Sequence, residues 1–125
     1  MGLVNSRYSL ILDGKPDPDT KKKTVRLASW ENRPRINRGV EFDWQPGTWY
    51  TAKFTVEQKE KTALIRGKVW KKGDKEPDAW TIEFEDPSPN RTGAAGLYGY
   101  VSNVGEGEPG AEIYYDNLIV TPDKK

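Results

Sequence analysis

Short stretches in which apolar and polar residues alternate recur along this chain, and they carry most of its aromatic side chains. The clearest is Trp49–Glu57, in which Tyr50, Ala52, Phe54 and Val56 share one parity. A period of two indicates a β-strand with one buried face, because successive side chains point to opposite sides of a sheet. Turns rich in Gly and Pro separate the stretches. The sequence therefore predicts an all-β sandwich of two antiparallel sheets.

Seven or eight strands are predicted, and helical periodicity is absent almost throughout. The predicted strands cover Ser6–Asp13, Thr24–Trp30, Ile36–Asp43, Trp49–Glu57, residues 61–71, residues 79–85, Gly96–Val101 and Glu112–Thr121. In the stretch 79–85, the alternation assigns Trp80, Ile82 and Phe84 to one face and Glu83 and Glu85 to the other.

The last predicted strand changes phase in its middle. Ile113 and Tyr115 share one parity, whereas Leu118 and Val120 share the other. All four are buried together only if the strand slips by one residue at Asp116-Asn117, and a β-bulge produces such a slip.

Composition narrows the chemistry that is open to the chain. Its 125 residues, predicted to form one domain over 1–125, contain no cysteine and no histidine, so disulfides and imidazole chemistry are excluded. A net charge of +1 does not favour nucleic acid or a membrane surface as a partner. No apolar run has the length of a transmembrane helix, and no signal peptide is visible. No cofactor is predicted.

Several strings resemble a known group of proteins. Trp49-Tyr50-Thr51, Gly96-Leu97-Tyr98-Gly99-Tyr100 and Tyr115-Asp116-Asn117-Leu118-Ile119-Val120 are similar to strands of the concanavalin A-like (laminin-G-like) jelly-roll superfamily, over about residues 40–121. Arg26-Leu27-Ala28-Ser29-Trp30, Gly67-Lys68-Val69-Trp70, Pro77–Glu83 and Asp86-Pro87-Ser88-Pro89-Asn90 resemble C-terminal modules that follow pyrroloquinoline-quinone-type β-propeller repeats in some bacterial proteins.

The resemblance implies a lectin-like jelly roll with one concave sheet that binds or cleaves glycans. It also implies that the final strand lies beside the first, so Glu112–Thr121 is expected to pair with the strand near Tyr8–Leu12. Propeller-linked modules have further strands upstream, so this domain is expected to be trimmed from a larger protein. The location stays open: periplasmic or extracellular for a module excised from a secreted parent, cytoplasmic for a complete chain.

The candidate ligand-binding residues are aromatic and basic. Trp30, Trp49 and Trp70 fall opposite the clearest core positions, and Arg26 and Arg66 share those outward faces. An exposed indole stacks on the apolar face of a pyranose while polar side chains bond its hydroxyls. The sequence therefore favours a non-catalytic accessory module for carbohydrate. The alternative is a structural or interaction module that uses the same aromatic patch to contact a neighbouring domain of a parent protein.

Catalytic and metal sites are not predicted. Hydrolytic members of the superfamily carry three alternating carboxylates in the order Glu-x-Asp-x-(x)-Glu, and this chain lacks them. Glu83 and Glu85 have a permissive spacing for a glycosidase pair, but outward glutamates on a strand usually pair with basic neighbours such as Arg66 and Lys68. The acidic cluster of the first long loop, which could hold calcium, fits plain turn chemistry better: Asp13, Asp17 and Asp19.

Overall fold

The computed structural model describes residues 1–102 and 104–122, and its regular structure there is entirely β. Its strands are β1 (Gly2–Asn5), β2 (Tyr8–Asp13), β3 (Thr24–Ser29), β4 (Asn37–Glu41), β5 (Tyr50–Gln58), β6 (Ala63–Lys71), β7 (Ile82–Asp86) and β8 (Gly96–Tyr98). Within these described ranges, no helix has the length and hydropathy needed to cross a membrane.

The strands form two antiparallel sheets, as predicted. The larger has five strands in the order β4-β3-β2-β1-β8, and the smaller has three in the order β5-β6-β7. Each strand of the smaller sheet follows its neighbour in the chain, so this sheet is a simple meander. In the larger sheet β8 returns across a long sequence gap to pair with β1, with Leu97 opposite Leu3.

Alternation within the strands places one face of each sheet in a shared core. The larger sheet contributes Tyr8, Leu10, Leu12, Val25 and Leu27, and the smaller contributes Val56, Ala63, Ile65, Val69 and Ile82. The sheets approach closely where β6 crosses β2, because a Cβ added at Gly67 would lie 2.4 Å from a methyl carbon of Leu10. A side chain at residue 67 would therefore push the sheets apart, and the two layers form a sandwich-like fold.

The first predicted strand, Ser6–Asp13, is in fact the turn and second arm of a hairpin. Ser6 and Arg7 both have positive φ, 49° and 59°, as a two-residue turn of the mirror-image type requires. Asn-Gly or Asp-Gly usually marks such a turn, and Ser-Arg does not. β1 was therefore missed in the sequence, although Leu3 pairs with Leu10 of β2.

The predicted strand Glu112–Thr121 is wrong for this structure. Residues 112–121 have no strand partner among the described residues, and Leu118 and Val120, which were expected to be buried, are 53% and 63% exposed. The physical reason lies in the first hairpin: β2 is flanked by β1 and β3, and the other edge of β1 is taken by β8, so no position beside the first strands is open. Asn117 does have a left-handed φ of 55°, at the position where the sequence predicted the bulge.

A buried polar network connects the sheets at one end of the core. The Tyr8 hydroxyl donates to Asp86 at 2.5 Å and accepts the Asn90 N–H at 2.7 Å. Arg35 donates to the other carboxylate oxygen of Asp86 at 2.6 Å and to the Asn90 side chain at 3.2 Å. Asp86 and Tyr8 are both fully buried. The network therefore ties β2 and the loop before β4 to the end of β7.

The charge state of this network follows from its contacts. Burial raises the pKa of Asp86, but the hydrogen bonds from Arg35, Tyr8 and the Ser88 N–H outweigh it, and the net pKa lies below the ordinary 3.8. Burial and the bond to Asp86 together raise the pKa of Tyr8. At neutral pH the pair is therefore a carboxylate that accepts from a phenol.

We expect Asp86→Asn to lower the free energy of unfolding by about 2–3 kcal/mol at neutral pH, since it removes the fully buried carboxylate that pairs with Arg35 and leaves that guanidinium with the more exposed Glu31. The carboxylate stabilises the fold fully above its unfolded pKa, and this stabilisation is lost as pH falls through the lowered folded pKa. Urea unfolding across acidic pH should therefore show the gap between wild type and variant shrinking below about pH 4. The exposed Asp78→Asn is the control. A gap that stays constant into acid would contradict the ionic role of Asp86.

Deleting the chain from Gly110 onward should leave a cooperatively folding domain. The apolar side chains of 112–120 are mostly exposed, so their loss in dilute solution should cost less than about 1.5 kcal/mol, the value of one buried aliphatic side chain. Thermal unfolding followed by circular dichroism measures this. A truncated chain without a cooperative transition would show that these residues fill the core after all.

Candidate ligand-binding face

The five candidate residues from the sequence lie on two different sheets. Arg26 is on β3 of the larger sheet, and Trp30 directly follows that strand. Trp49 directly precedes β5 of the smaller sheet, and Trp70 and Arg66 are on β6 of that sheet. The structure therefore brings three of the five together and leaves the other two on the opposite side of the core.

Trp49 and Trp70 are neighbours on the outer face of the smaller sheet. Thr51 lies directly opposite Trp70, and the Lys72 N–H donates to the Trp49 carbonyl at 2.9 Å, which extends the ladder by one pair. Trp49 and Trp70 are thus diagonal partners on one face, at a spacing of about 7–8 Å between such positions. Trp49 is 49% exposed and Trp70 is half-buried. We call this pair the tryptophan platform.

A basic side chain borders the platform. The Lys72 ammonium lies over the Trp49 ring, 5.5 Å from its centroid. No ion pair of Lys72 is present among the described residues. A cation beside an exposed indole provides a hydrogen-bond donor next to an apolar surface, which is the combination that a sugar ring requires.

Trp80 lies on the outer side of the smaller sheet, not on the core face with Ile82 and Phe84 as the alternation indicated. The Arg66 guanidinium stacks 4.8 Å from its ring centroid, and the Lys68 ammonium lies 4.7 Å from it. β7 begins only at Ile82, so Trp80 belongs to the loop after β6 and does not obey the strand period. The loop folds back and covers the middle of the outer face.

Lys68 fixes that loop. It is only 6% exposed, and its ammonium donates to the Pro77 carbonyl at 2.8 Å and pairs with Glu76 at 2.7 Å. Glu76 also pairs with Lys53 at 3.1 Å. Hydrogen bonds from these two lysines lower the pKa of Glu76 below 4.5. A polar row therefore lies next to the tryptophan platform, formed by Lys53, Lys68 and Glu76. The sequence did not indicate this row, because Glu76 reaches the two lysines only through the conformation of the loop after β6.

The two glutamates that could form a catalytic pair have separate basic partners. Glu83 lies 4.0 Å from Arg66, and Glu85 lies 3.3 Å from Lys59 and accepts from the Thr62 hydroxyl at 2.7 Å. These bonds lower the pKa of Glu85 below 4.5. A general acid needs a raised pKa, because it must carry a proton to donate. The surroundings of Glu85 instead favour its ionised form, so they do not suit this residue to act as an acid.

The residues on the larger sheet form a smaller aromatic contact. Trp30 is 57% exposed, and its ring meets Tyr98 edge to face at 5.8 Å. Arg26 donates to Asp13 and to Asn37 at 3.3 and 2.9 Å, so both of its contacts lie within its own sheet and the adjoining loop. This site offers one exposed indole, whereas the outer face of the smaller sheet offers exposed Trp49 beside half-buried Trp70.

The acidic loop after β2 uses its carboxylates for turns. Asp17 accepts from the backbone N–H groups of Asp19 and Thr20, both at 3.0 Å. Asp13 accepts from the Lys15 N–H and pairs with Arg26. In the part of the chain that the structure describes, no group of acidic side chains has the arrangement of a metal site.

Comparison with protein-family models gives no match, and comparisons with curated proteins and with solved structures give no significant similarity.

Replacing Lys68 by Met should lower the free energy of unfolding by about 1–3 kcal/mol, because the Pro77 carbonyl and the loop lose a buried charged donor. Lys53→Met removes the exposed partner of the same Glu76 and should cost less than about 1 kcal/mol. Urea unfolding of both variants gives the comparison. Equal losses would show that the loop is not held by Lys68.

Proposed function

We propose that this protein is a non-catalytic carbohydrate-binding module and that the tryptophan platform is its sugar-binding surface. The observation that carries the proposal is the pair of neighbouring outward indoles on one sheet face, Trp49 and Trp70, bordered by Lys72. Adjacent rings on one sheet face can stack on successive sugars in a chain. A single exposed tryptophan, such as Trp30, provides only one such contact.

Polar groups around the platform support the same proposal. Thr51 lies opposite Trp70 on the outer face, and Lys53 is the next outward residue of β5. Together with Lys72 and Glu76 they supply both donors and acceptors, which sugar hydroxyls require. Arg66 is held by Trp80 and Glu57, so in the proposed complex it shapes the face and does not contact the sugar.

The fold proposal is that the two sheets belong to a concanavalin A-like jelly roll. Five antiparallel strands against three, with a late strand returning beside the first, support this proposal. In such a fold a sheet face presents an open surface along which an extended glycan lies.

A panel of soluble β-glucans, xylans, galacturonans and chitin oligosaccharides tests the function by calorimetry and tryptophan fluorescence. One class should bind and change the emission. Trp49→Ala and Trp70→Ala should each weaken that binding by about tenfold or more, which corresponds to about 1.4 kcal/mol.

Trp30→Ala is the matched control, because it removes from the other sheet an indole that is 57% exposed, against 49% for Trp49. It should leave the affinity unchanged, and Trp70→Phe should retain part of it. Binding that is lost in Trp30→Ala and kept in Trp49→Ala would place the site on the larger sheet. If no saccharide binds, the function is wrong.

A further inference from the structure

Residues 112–120, the C-terminal segment, expose several large apolar side chains on both sides of Asp116-Asn117. Tyr114, Leu118, Ile119 and Val120 are 65%, 53%, 80% and 63% exposed. Soluble monomers rarely leave such a patch open to water, and larger patches mark interaction sites. The segment has no strand partner in the part of the chain that the structure describes.

The sequence of this segment is that of a β-strand. Aromatic and β-branched residues dominate it, and these side chains fit a pleated, half-buried surface. Asn117 interrupts it with a left-handed φ of 55°, so the residues on its two sides can present their apolar groups to the same face. The segment therefore has the sequence of a β-strand but is not paired in a sheet within the described chain.

One long edge strand, β5, has an unpaired side. β5 is nine residues long, Tyr50–Gln58, and pairs with β6 on one side only. A long edge presents a row of unpaired backbone donors and acceptors, which is a template for another strand. The length of β5 equals that of the C-terminal segment.

The position beside β5 also lies over an uncovered apolar residue. β5 packs across the core from β1, so β8, which lies beyond β1, has no strand of the smaller sheet opposite it. Leu97 of β8 pairs with Leu3 and shares the core side of its sheet with Leu10, yet it is 42% exposed. A fourth strand next to β5 would cover Leu97.

Contacts at the start of the segment hold it beside β1 and β8 of its own chain. The Tyr115 hydroxyl accepts from the Gly2 N–H at 3.2 Å and donates to the Tyr98 carbonyl. The Ile113 side chain lies 3.4 Å from the Cβ position of Gly99. These contacts hold residues 113–115 against β1 and β8, while Leu118, Ile119 and Val120 extend into solvent.

We propose that the C-terminal segment of one copy of this chain adds to the free edge of β5 in a second copy, and that the exchange is reciprocal. Every chain has both the C-terminal segment and the free β5 edge, so reciprocal exchange gives a closed two-fold dimer. In this dimer both β5 edges are paired. The backbone ladder gives affinity, and the apolar side chains of the donor cover Leu97 of the acceptor. This dimer does not depend on sugar binding.

Sedimentation and light scattering of the full chain test the dimer. We expect a mass of twice 14.2 kDa at high micromolar concentration, with dissociation on dilution. Leu118→Lys combined with Ile119→Lys should give a folded monomer, because both residues are exposed in the single chain. Val104→Lys, at another exposed apolar residue, is the control and should remain dimeric. A chain that stays monomeric, or a dimer that the paired lysines do not disrupt, would overturn the proposal.

Cross-linking identifies the exchanged strand, since the chain contains no cysteine of its own. Leu118→Cys and Thr51→Cys chains, mixed and treated with a short bis-maleimide, should form a mixed dimer. A chain that carries both cysteines should likewise cross-link between copies and not within one. Cross-linking within a monomer would show that the segment pairs with its own β5, and it would overturn the proposal in favour of that closure.

Discussion

The buried hydrogen bond between Tyr8 and Asp86 is the contact on which the sandwich depends at one end of the core. It joins β2 of the larger sheet to the last residue of β7, and both side chains are fully buried. Hydrophobic packing brings sheets together without fixing how they are placed, whereas a carboxylate that must accept from both Tyr8 and Arg35 permits few arrangements. The same tyrosine oxygen accepts from the Asn90 backbone, so the loop that leads to β8 is fixed by the same group.

This placement decides what the outer faces present. With Ile65, Gly67 and Val69 turned to the core, Arg66, Lys68 and Trp70 must face outward. The loop that Lys68 holds then divides the outer face of the smaller sheet. The loop covers its middle with Trp80, and the end near Trp49 and Trp70 remains open. The proposed sugar surface is therefore a consequence of strand parity and one buried lysine.

The sequence predicted the features that depend on local alternation. The strands β5, β6 and β3 are found within one or two residues of their predicted bounds, and the outward direction of Trp70 and Arg66 is confirmed by their register with β5. Errors arose where a loop or turn decides the outcome. Trp80 looked like a strand residue because it continues the parity of Ile82, and β1 was hidden because its turn uses Ser6 and Arg7 in a conformation that glycine usually adopts. The C-terminal segment has the composition of a strand, but pairing is a tertiary property, and β1 and β3 occupy the positions next to β2 that the resemblance implied for it.

We propose that a saccharide binds this protein on the outer face of the smaller sheet, and one measurement tests this most directly. The five tryptophan indole N–H groups give separate signals in a nitrogen–proton correlation spectrum, and each can be assigned by replacement with phenylalanine. Titration with the saccharide that binds should move the signals of Trp49 and Trp70 and leave those of Trp30 and Trp44 in place, since Trp30 lies on the other sheet and the Trp44 indole donates to the Asp13 carbonyl. Movement of Trp30 alone, or of no indole in the presence of bound sugar, would contradict the claim.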